Sequence, residues 1–458
     1  MAKIPGTNYD AFVTTGQIIN FGVTTDPFNP PAPIIGDFNL EVIVDATGTG
    51  MYPGAGGYDG LAVVSADGRT LTLSRGNFGV IDTAGSDNLS AGTGNQTIGG
   101  AAGDTIAGFV STQFLDGSQG HQSIAGGSFG NETIWGGVGD TINGGSNANV
   151  TIGGAAGDTI TGGSGNEFID ASQGHQSVTG GPGGSETIWS GAGDTIQGGN
   201  GGGETIGGVA GDTITGGFFG NQFVDASRGG QAVDGGFGAN VTIWAGAGDM
   251  ITGGSGNVTI GGVPGDTITG GSGNEFIDAT GGNQSVAGGR AGNETIWGGA
   301  GDTITGGTGG NETIAGVAGE TIAGGIANPL GNTFIDATSG NESIAAGSGN
   351  TIVWGQSGDT VQGAAGGGSA MIAFGAVHGA ETLWDSGSAP SGNDSVYDFS
   401  QSIGDRISLS TQDSAATVVA GATSDSSGNV VIHLHDGASI TLIGVSQASL
   451  SNGYFTTH

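Results

Sequence analysis

GNETIWGGVGDTINGGSNANVTIGGAAGDTITGGSGNEFIDASQGHQSVTGGPGGSETIW, residues 130–189, carries the pattern that decides the fold. Its aliphatic residues fall at Ile134, Ile142, Ile152, Ile160, Ile169, Val178 and Ile188. The steps between them are 8, 10, 8, 9, 9 and 10 residues, so two steps come to about 18 and six come to 54. A mean step of nine fits a short strand with one inward aliphatic, flanked by outward threonines and followed by a glycine-rich turn. Two strands and two turns close one coil of about 18 residues, which stacks on the next at ~4.8 Å.

The same beat runs from Ile81 to Leu383, through Leu89, Ile98, Ile106, Leu115 and Ile124. About 17 such coils would make a rod on the order of 80 Å long. A left-handed hexapeptide helix also uses 18 residues per coil but needs an apolar residue every six, and three-sheet β-helices need longer coils. The expected fold is therefore all-β, a two-sheet parallel β-roll or β-solenoid with ~18-residue coils and a 54-residue superrepeat. Trp135, Trp189, Trp244, Trp297 and Trp354 mark the superperiod, at steps of 54, 55, 53 and 57. Phe-aliphatic-Asp recurs at 114–116, 168–170, 223–225, 276–278 and 334–336.

The array, 81–384, is flanked by segments that lack the repeat. Residues 1–80 contain β-rich pieces, FNLEVIVD (38–45) and LAVVSADGRTLTLS (61–74), the latter resembling a hairpin around Ala66-Asp67-Gly68. They are expected to form an N-terminal β cap over the unpaired edge of the first coil. Residues 385–458 are poorer in glycine and alternate as strands in SVYDF (395–399), RISLS (406–410), VVIHLH (430–435) and SITLIGV (439–445), which reads as a C-terminal β-domain.

Bulk composition narrows the function classes. Of 458 residues, 106 are glycine, 6 are Lys or Arg and 41 are Asp or Glu, for a net charge of −35. Glycine at this level without a G-X-Y period excludes collagen, and the strict apolar phasing argues against a disordered linker. The charge disfavours nucleic acid and anionic membrane surfaces and points to cations. With no cysteine there are neither disulfides nor thiolate metal sites. The opening MAKIPGTNYD has no apolar stretch of the kind a cleaved signal needs, and no run approaches the ~20 apolar residues of a membrane span, so no membrane insertion is expected.

The array resembles the nonapeptide repeats of RTX proteins, G-G-x-G-x-D-x-U-x with U the buried aliphatic. The aspartate of that pattern survives best at the ends, in Gly85-Ser86-Asp87-Asn88-Leu89 and Gly392-Asn393-Asp394-Ser395-Val396. Inside, Glu or a neutral residue replaces it at one edge, as at Glu167 and Glu275, while the other edge keeps Asp but shortens the unit, as in GGVGDTI at Asp140. The segment GNDSVYDFSQSIGDRISLS, with GNVVIHLHDGASITLIGV after it, is similar to the C-terminal domain of type I secretion substrates. The resemblance spans roughly residues 81–458. It implies a calcium-bound parallel β-roll exported by the type I secretion machinery, without a cleaved N-terminal signal, to the extracellular space or cell surface.

Carboxylates 17 or 18 residues apart, Asp140/Asp158, Asp194/Asp212, Asp249/Asp266 and Asp302/Glu320, would lie one coil apart and within ~5 Å. With Asp87 and Asp394 they form the candidate metal set for Ca2+, a hard cation that takes 6–8 oxygens. Two readings stand: a cation shared within each pair, or carboxylates that accept hydrogen bonds from their own turn amides. The tryptophans also admit two readings. Each follows an inward aliphatic and so points outward, either as a ring laid over a bare glycine of the next coil, such as Gly153, or as an interface stripe. Thr-Ile-Thr at 159–161 and 213–215 reads as ladder stabilisation, because Val178 and Val233 interrupt any continuous rank of threonine pairs. His121 and His175 read as ordinary turn residues, since Gly230, Asn283 and Asn341 stand at equivalent places.

There is no HExxH pair, and no helical region to support one or a nucleophile elbow. The expectation is a non-enzymatic structural protein that self-associates laterally or end to end, as filament, surface layer or matrix, and folds outside the cell where calcium is plentiful. An adhesin or a polysaccharide- or ice-binding solenoid is the alternative.

Overall fold

The computed structural model describes residues 2–3, 10–11, 40–45, 50–52, 59–64, 67–73, 77–146, 148–238, 240–325, 331–375, 379–385 and 392–458. Most of the expected N-terminal cap up to residue 39 lies outside these. The chain divides into two units, Met1–Asp225 and Ala226–His458, each described by itself.

In the first unit two parallel sheets face each other. The short-strand sheet begins at Gly50–Tyr52 and Thr70–Leu73 and continues through Asn88–Ser90, Thr105–Ala107 and Ser123–Ala125 to Thr213–Thr215. The long-strand sheet begins at Leu40–Asp45 and Asp59–Val64 and continues through Asn77–Asp82, Gln96–Gly99 and Gln113–Gly117 to Glu204–Gly207. Consecutive segments alternate between sheets, so each coil contributes one strand to each. Register follows the apolar beat: Ile106 lies on Ile124, Ile124 on Ile142, Ile142 on Ile160 and Ile160 on Val178. In the other sheet Leu115, Ile134, Ile152, Ile169 and Ile188 stack likewise. All of these side chains are buried, and a one-residue slip would turn the whole column out to solvent. Each buried aliphatic contributes roughly 1.5–3 kcal/mol.

The winding starts earlier in the sequence than the glycine-rich repeat does. The hairpin expected over 61–74 is not formed: Asp59–Val64 pairs in parallel with Leu40–Asp45 and Asn77–Asp82, whereas Thr70–Leu73 belongs to the opposite sheet. Alternation alone cannot tell a hairpin from two strands facing each other across a coil.

The second unit repeats the arrangement. Its short-strand sheet runs from Ala232–Asp234 through Met250–Thr252 to Thr382–Trp384, and Arg406–Leu409 and Phe455–Thr457 add to it in parallel. Its long-strand sheet runs from Asn240–Ala245 through Asn257–Gly261 to Ser369–Ala373, then Asn393–Tyr397 and Ser439–Leu442. Val430–His433 pairs antiparallel with this last strand, and Thr423–Ser424 antiparallel with Val430–His433. Before them comes the one α-helix among the described residues, Ala415–Gly421, whose N-cap Ser414 accepts from Thr417 N–H. Phe399 stacks between Phe374 and Tyr454, with ring centroids 6.1 and 5.5 Å away.

Polar ladders reinforce the coils. Asn274 Nδ2 donates to Asn257 Oδ1 at 3.0 Å, and the pattern continues through Asn293 and Asn311. Identical amides in register satisfy each other along the stack.

Candidate functional site

Three sets of side chains bear on function: the aspartates that precede many of the short strands, glutamates at the start of the long strands, and aromatics on the outer face of the long-strand sheet.

Each of these aspartates is held by backbone amides. Asp140 Oδ1 accepts from Gln122 N–H at 2.7 Å and its Oδ2 from Gly137 N–H at 2.7 Å. The Asp140 N–H in turn donates to Asp158 Oδ1 at 2.8 Å, and Ala155 N–H donates to Asp158 Oδ2 at 2.7 Å. Asp194/Asp212 and Asp249/Asp266 repeat this, with Asp N–H to Asp Oδ1 distances of 2.9 and 3.0 Å. Thus the three Asp/Asp pairs are brought together, but through the amide of one member, and the second oxygen staples its own turn. Burial pushes Asp140 up to about 6, the Gln122 and Gly137 amides opposing it; Asp158, Asp194, Asp249, Asp266 and Asp302 are raised for the same first reason. Glu320, one coil from Asp302, has no well-aligned partner for either oxygen, and burial lifts it to about 8. Asp394 stands apart from these pairs: its Oδ1 accepts from Ala370 and Ala364 N–H at 3.0 and 3.2 Å.

Asp87 differs. Its Oδ1 accepts from Arg69 N–H, and its own N–H donates to Asp104 Oδ1 at 2.9 Å. Among the described residues, Asp82, Asp87 and Asp104 are the acidic side chains that converge closely enough to share an ion, one oxygen from each lying within 4.8 Å of the others. All three are buried, and Asp82 Oδ2 and Asp87 Oδ2 have no hydrogen-bond partner. Burial, with the neighbouring Asp87 and Asp104 carboxylates adding to it, pushes Asp82 up to about 9. The sequence reading found only Asp87 of this trio. The signal for Asp82 was an acid where later coils carry Gly, Ala or Ser, visible only once the register is known.

The glutamates are a second feature that sequence reading noted singly, at Glu167 and Glu275, but not as a column. Glu167, Glu186 and Glu204 stack in register, as do Glu275, Glu294 and Glu312, each buried. Gly181 N–H donates to Glu186 Oε1 at 2.6 Å and Gly199 N–H to its Oε2 at 3.0 Å, so the carboxyl ties together two successive double-glycine turns. Burial raises Glu186 and Glu204 to about 7 and Glu167 to about 8, with Glu186 repelling both of its stacked neighbours.

On the outer face the tryptophans are register-equivalent within each unit, Trp135 and Trp189 in the first and Trp244, Trp297 and Trp354 in the second, and are 45–57 % exposed. The ring-over-glycine reading is directly visible. Trp135 lies over Gly153 and Trp189 over Gly207, so closely that a Cβ on either glycine would come within 2.4 Å of the ring. The other ring face remains open to solvent. Trp297 and Trp354 meet Phe276 and Phe334 edge to face, centroids 4.9 and 4.8 Å apart. Asp170 is register partner of Trp189, and Asp278 of Trp297. His121 and His175 adopt φ of 55° and 56°, as Asn283 and Asn341 do at 55° and 61° and Gly230 at 70°, which explains the interchange of His, Asn and Gly there.

No protein-family model matches the chain, and neither a curated protein nor a solved structure matches it. No described helix is long and apolar enough to cross a membrane.

Proposed function

We infer that this is a non-catalytic extracellular structural protein of RTX type, exported by type I secretion, whose copies associate through the outer face of the long-strand sheet. The observation that carries the reading is the tryptophan column within each unit: large half-exposed rings recurring every third coil on the outer face of a parallel sheet offer a regular apolar contact surface. Calcium belongs to the reading as the counter-charge for buried acids in a chain of net charge −35. A solenoid of this kind supplies area for contact, and the amide-stapled aspartates hold coils together.

A polysaccharide-binding rod is the second reading, favoured by the register of Asp170 with Trp189 and Asp278 with Trp297. A ring face beside a carboxylate suits a sugar's C–H face and hydroxyls. Electron microscopy of the purified full chain with millimolar calcium separates the two. Ordered polymers that vanish in Trp135→Ser/Trp189→Ser/Trp297→Ser support self-association. Dispersed particles that the same triple variant strips from an insoluble polysaccharide support the second reading.

A further inference from the structure

We propose that Asp82, Asp87 and Asp104 bind one hard divalent cation, Ca2+ first, inside the corner between the end of the long strand Asn77–Asp82 and the turns entering Asn88–Ser90 and Thr105–Ala107. The proposal deepens the calcium clause above and rests on it only for the choice of ion.

Asp82 occupies an unusual place in the coil. Register puts it at the position held by Gly100, Gly117 and Gly136 in the following coils. That position faces the corner carboxylate. A Cβ on Gly100 would stand 3.1 Å from Asp104 Oδ2, one on Gly117 2.8 Å from Asp140 Oδ2, and one on Gly136 2.6 Å from Asp158 Oδ2. Later coils keep Gly or Ala there, adding no acceptor, or supply a donor: Ser190, at the position equivalent to Ala171, gives its hydroxyl hydrogen to Asp212 Oδ2. Asp82 does neither. It adds an acceptor where a donor is wanted, beside two further buried acids.

The orphaned oxygens point to what completes the corner. Ala84 N–H satisfies Asp82 Oδ1 at 2.9 Å, and Ala101 N–H satisfies Asp104 Oδ2 at 2.6 Å, fixing these carboxylates in place. Asp82 Oδ2 and Asp87 Oδ2 remain buried with no donor group facing them, a costly arrangement unless a cation or a shared proton lies between the carboxylates. One oxygen from each of the three residues falls within 4.8 Å of the others, a spread that ligands 2.3–2.6 Å from a common Ca2+ can span. An all-carboxylate set selects Ca2+ or Mg2+ over softer metals. The ion would clamp two successive turns to the preceding long strand, across the corner where the glycine-rich repeats begin.

The test compares wild type with Asp82→Ala and Asp82→Ser, full chains stripped with chelator and checked by circular dichroism. Ala and Ser fit because Ala171 and Ser190 hold equivalent places. Equilibrium dialysis against Ca2+ should find one ion fewer per chain in both variants. Asp82→Ala should also melt no lower than wild type in chelator and gain less from added calcium. Equal ion counts and equal calcium-induced melting shifts would overturn the site while leaving the wider calcium reading standing. Absence of bound calcium from wild type would overturn both, and would leave a proton shared among the three acids as the occupant of the corner.

Discussion

Gly207 and Gly261 each stand beside a tryptophan of the preceding strand in the stack, yet they leave different amounts of room. A Cβ on Gly207 would approach Trp189 Cε3 to 2.3 Å, whereas one on Gly261 would meet only Trp244 Cδ1 at 3.9 Å. Gly207→Ala should therefore lift the ring, red-shift its fluorescence and cost about 1 kcal/mol, near the low end of overpacking effects because the ring has solvent to move into. Gly261→Ala should stay within ~0.5 kcal/mol by denaturant melts. At the His121 turn, φ of 55° predicts a second contrast: His121→Val should destabilise by roughly 1–2 kcal/mol, and His121→Gly should be close to neutral. The sequence disclosed this position only as a place where His, Gly and Asn alternate. The backbone angle that makes those residues equivalent belongs to the folded turn.

At the scale of the strand and its stack, the glutamate column makes stability depend on pH. The unfolded reference for Glu is 4.5, and Glu186, Glu204 and Glu167 lie at about 7, 7 and 8 in the fold. Folded values above unfolded ones mean that the folded state holds the protons more tightly. The resulting stabilisation is complete below about 4.5 and is lost as pH rises through 7 to 8. In chelator, the denaturation midpoint should fall between pH 6 and pH 9, and Glu186→Gln should flatten that fall and melt higher than wild type at pH 9. A wild-type midpoint that rises over this range would contradict the stacking of uncharged carboxyls. The aliphatic column is less conditional: Ile160, fully buried between Ile142 and Val178, should cost about 2–5 kcal/mol when cut to Ala, at any pH. The aliphatic phase could be read directly from Ile142, Ile160 and Val178. The glutamate stack could not, because steps of 19 and 18 between Glu167, Glu186 and Glu204 become neighbours only through strand register.

For the molecule as a whole, charge decides the terms of association. Copies carrying −35 each repel at long range, and a Debye length of about 10 Å at 0.1 M salt limits that repulsion to near contact. Sedimentation should therefore show larger species as sodium chloride rises from 10 to 300 mM, more so with millimolar calcium. Insensitivity to both would remove the aromatic face as a self-association surface.

Sequence by itself determined the winding. One aliphatic per nine residues, with glycine turns between, has few ways to bury its apolar side chains other than a two-walled coil of about 18 residues, and the superperiod put the tryptophans of each unit in register on the outward side. Tertiary structure decided what the acids do. Spacing made Asp140 and Asp158 neighbours, but only the direction of the backbone amides shows them stapled to turns. Asp82 meets Asp87 and Asp104 because two sheets close on one corner, bringing together residues that no single repeat contains.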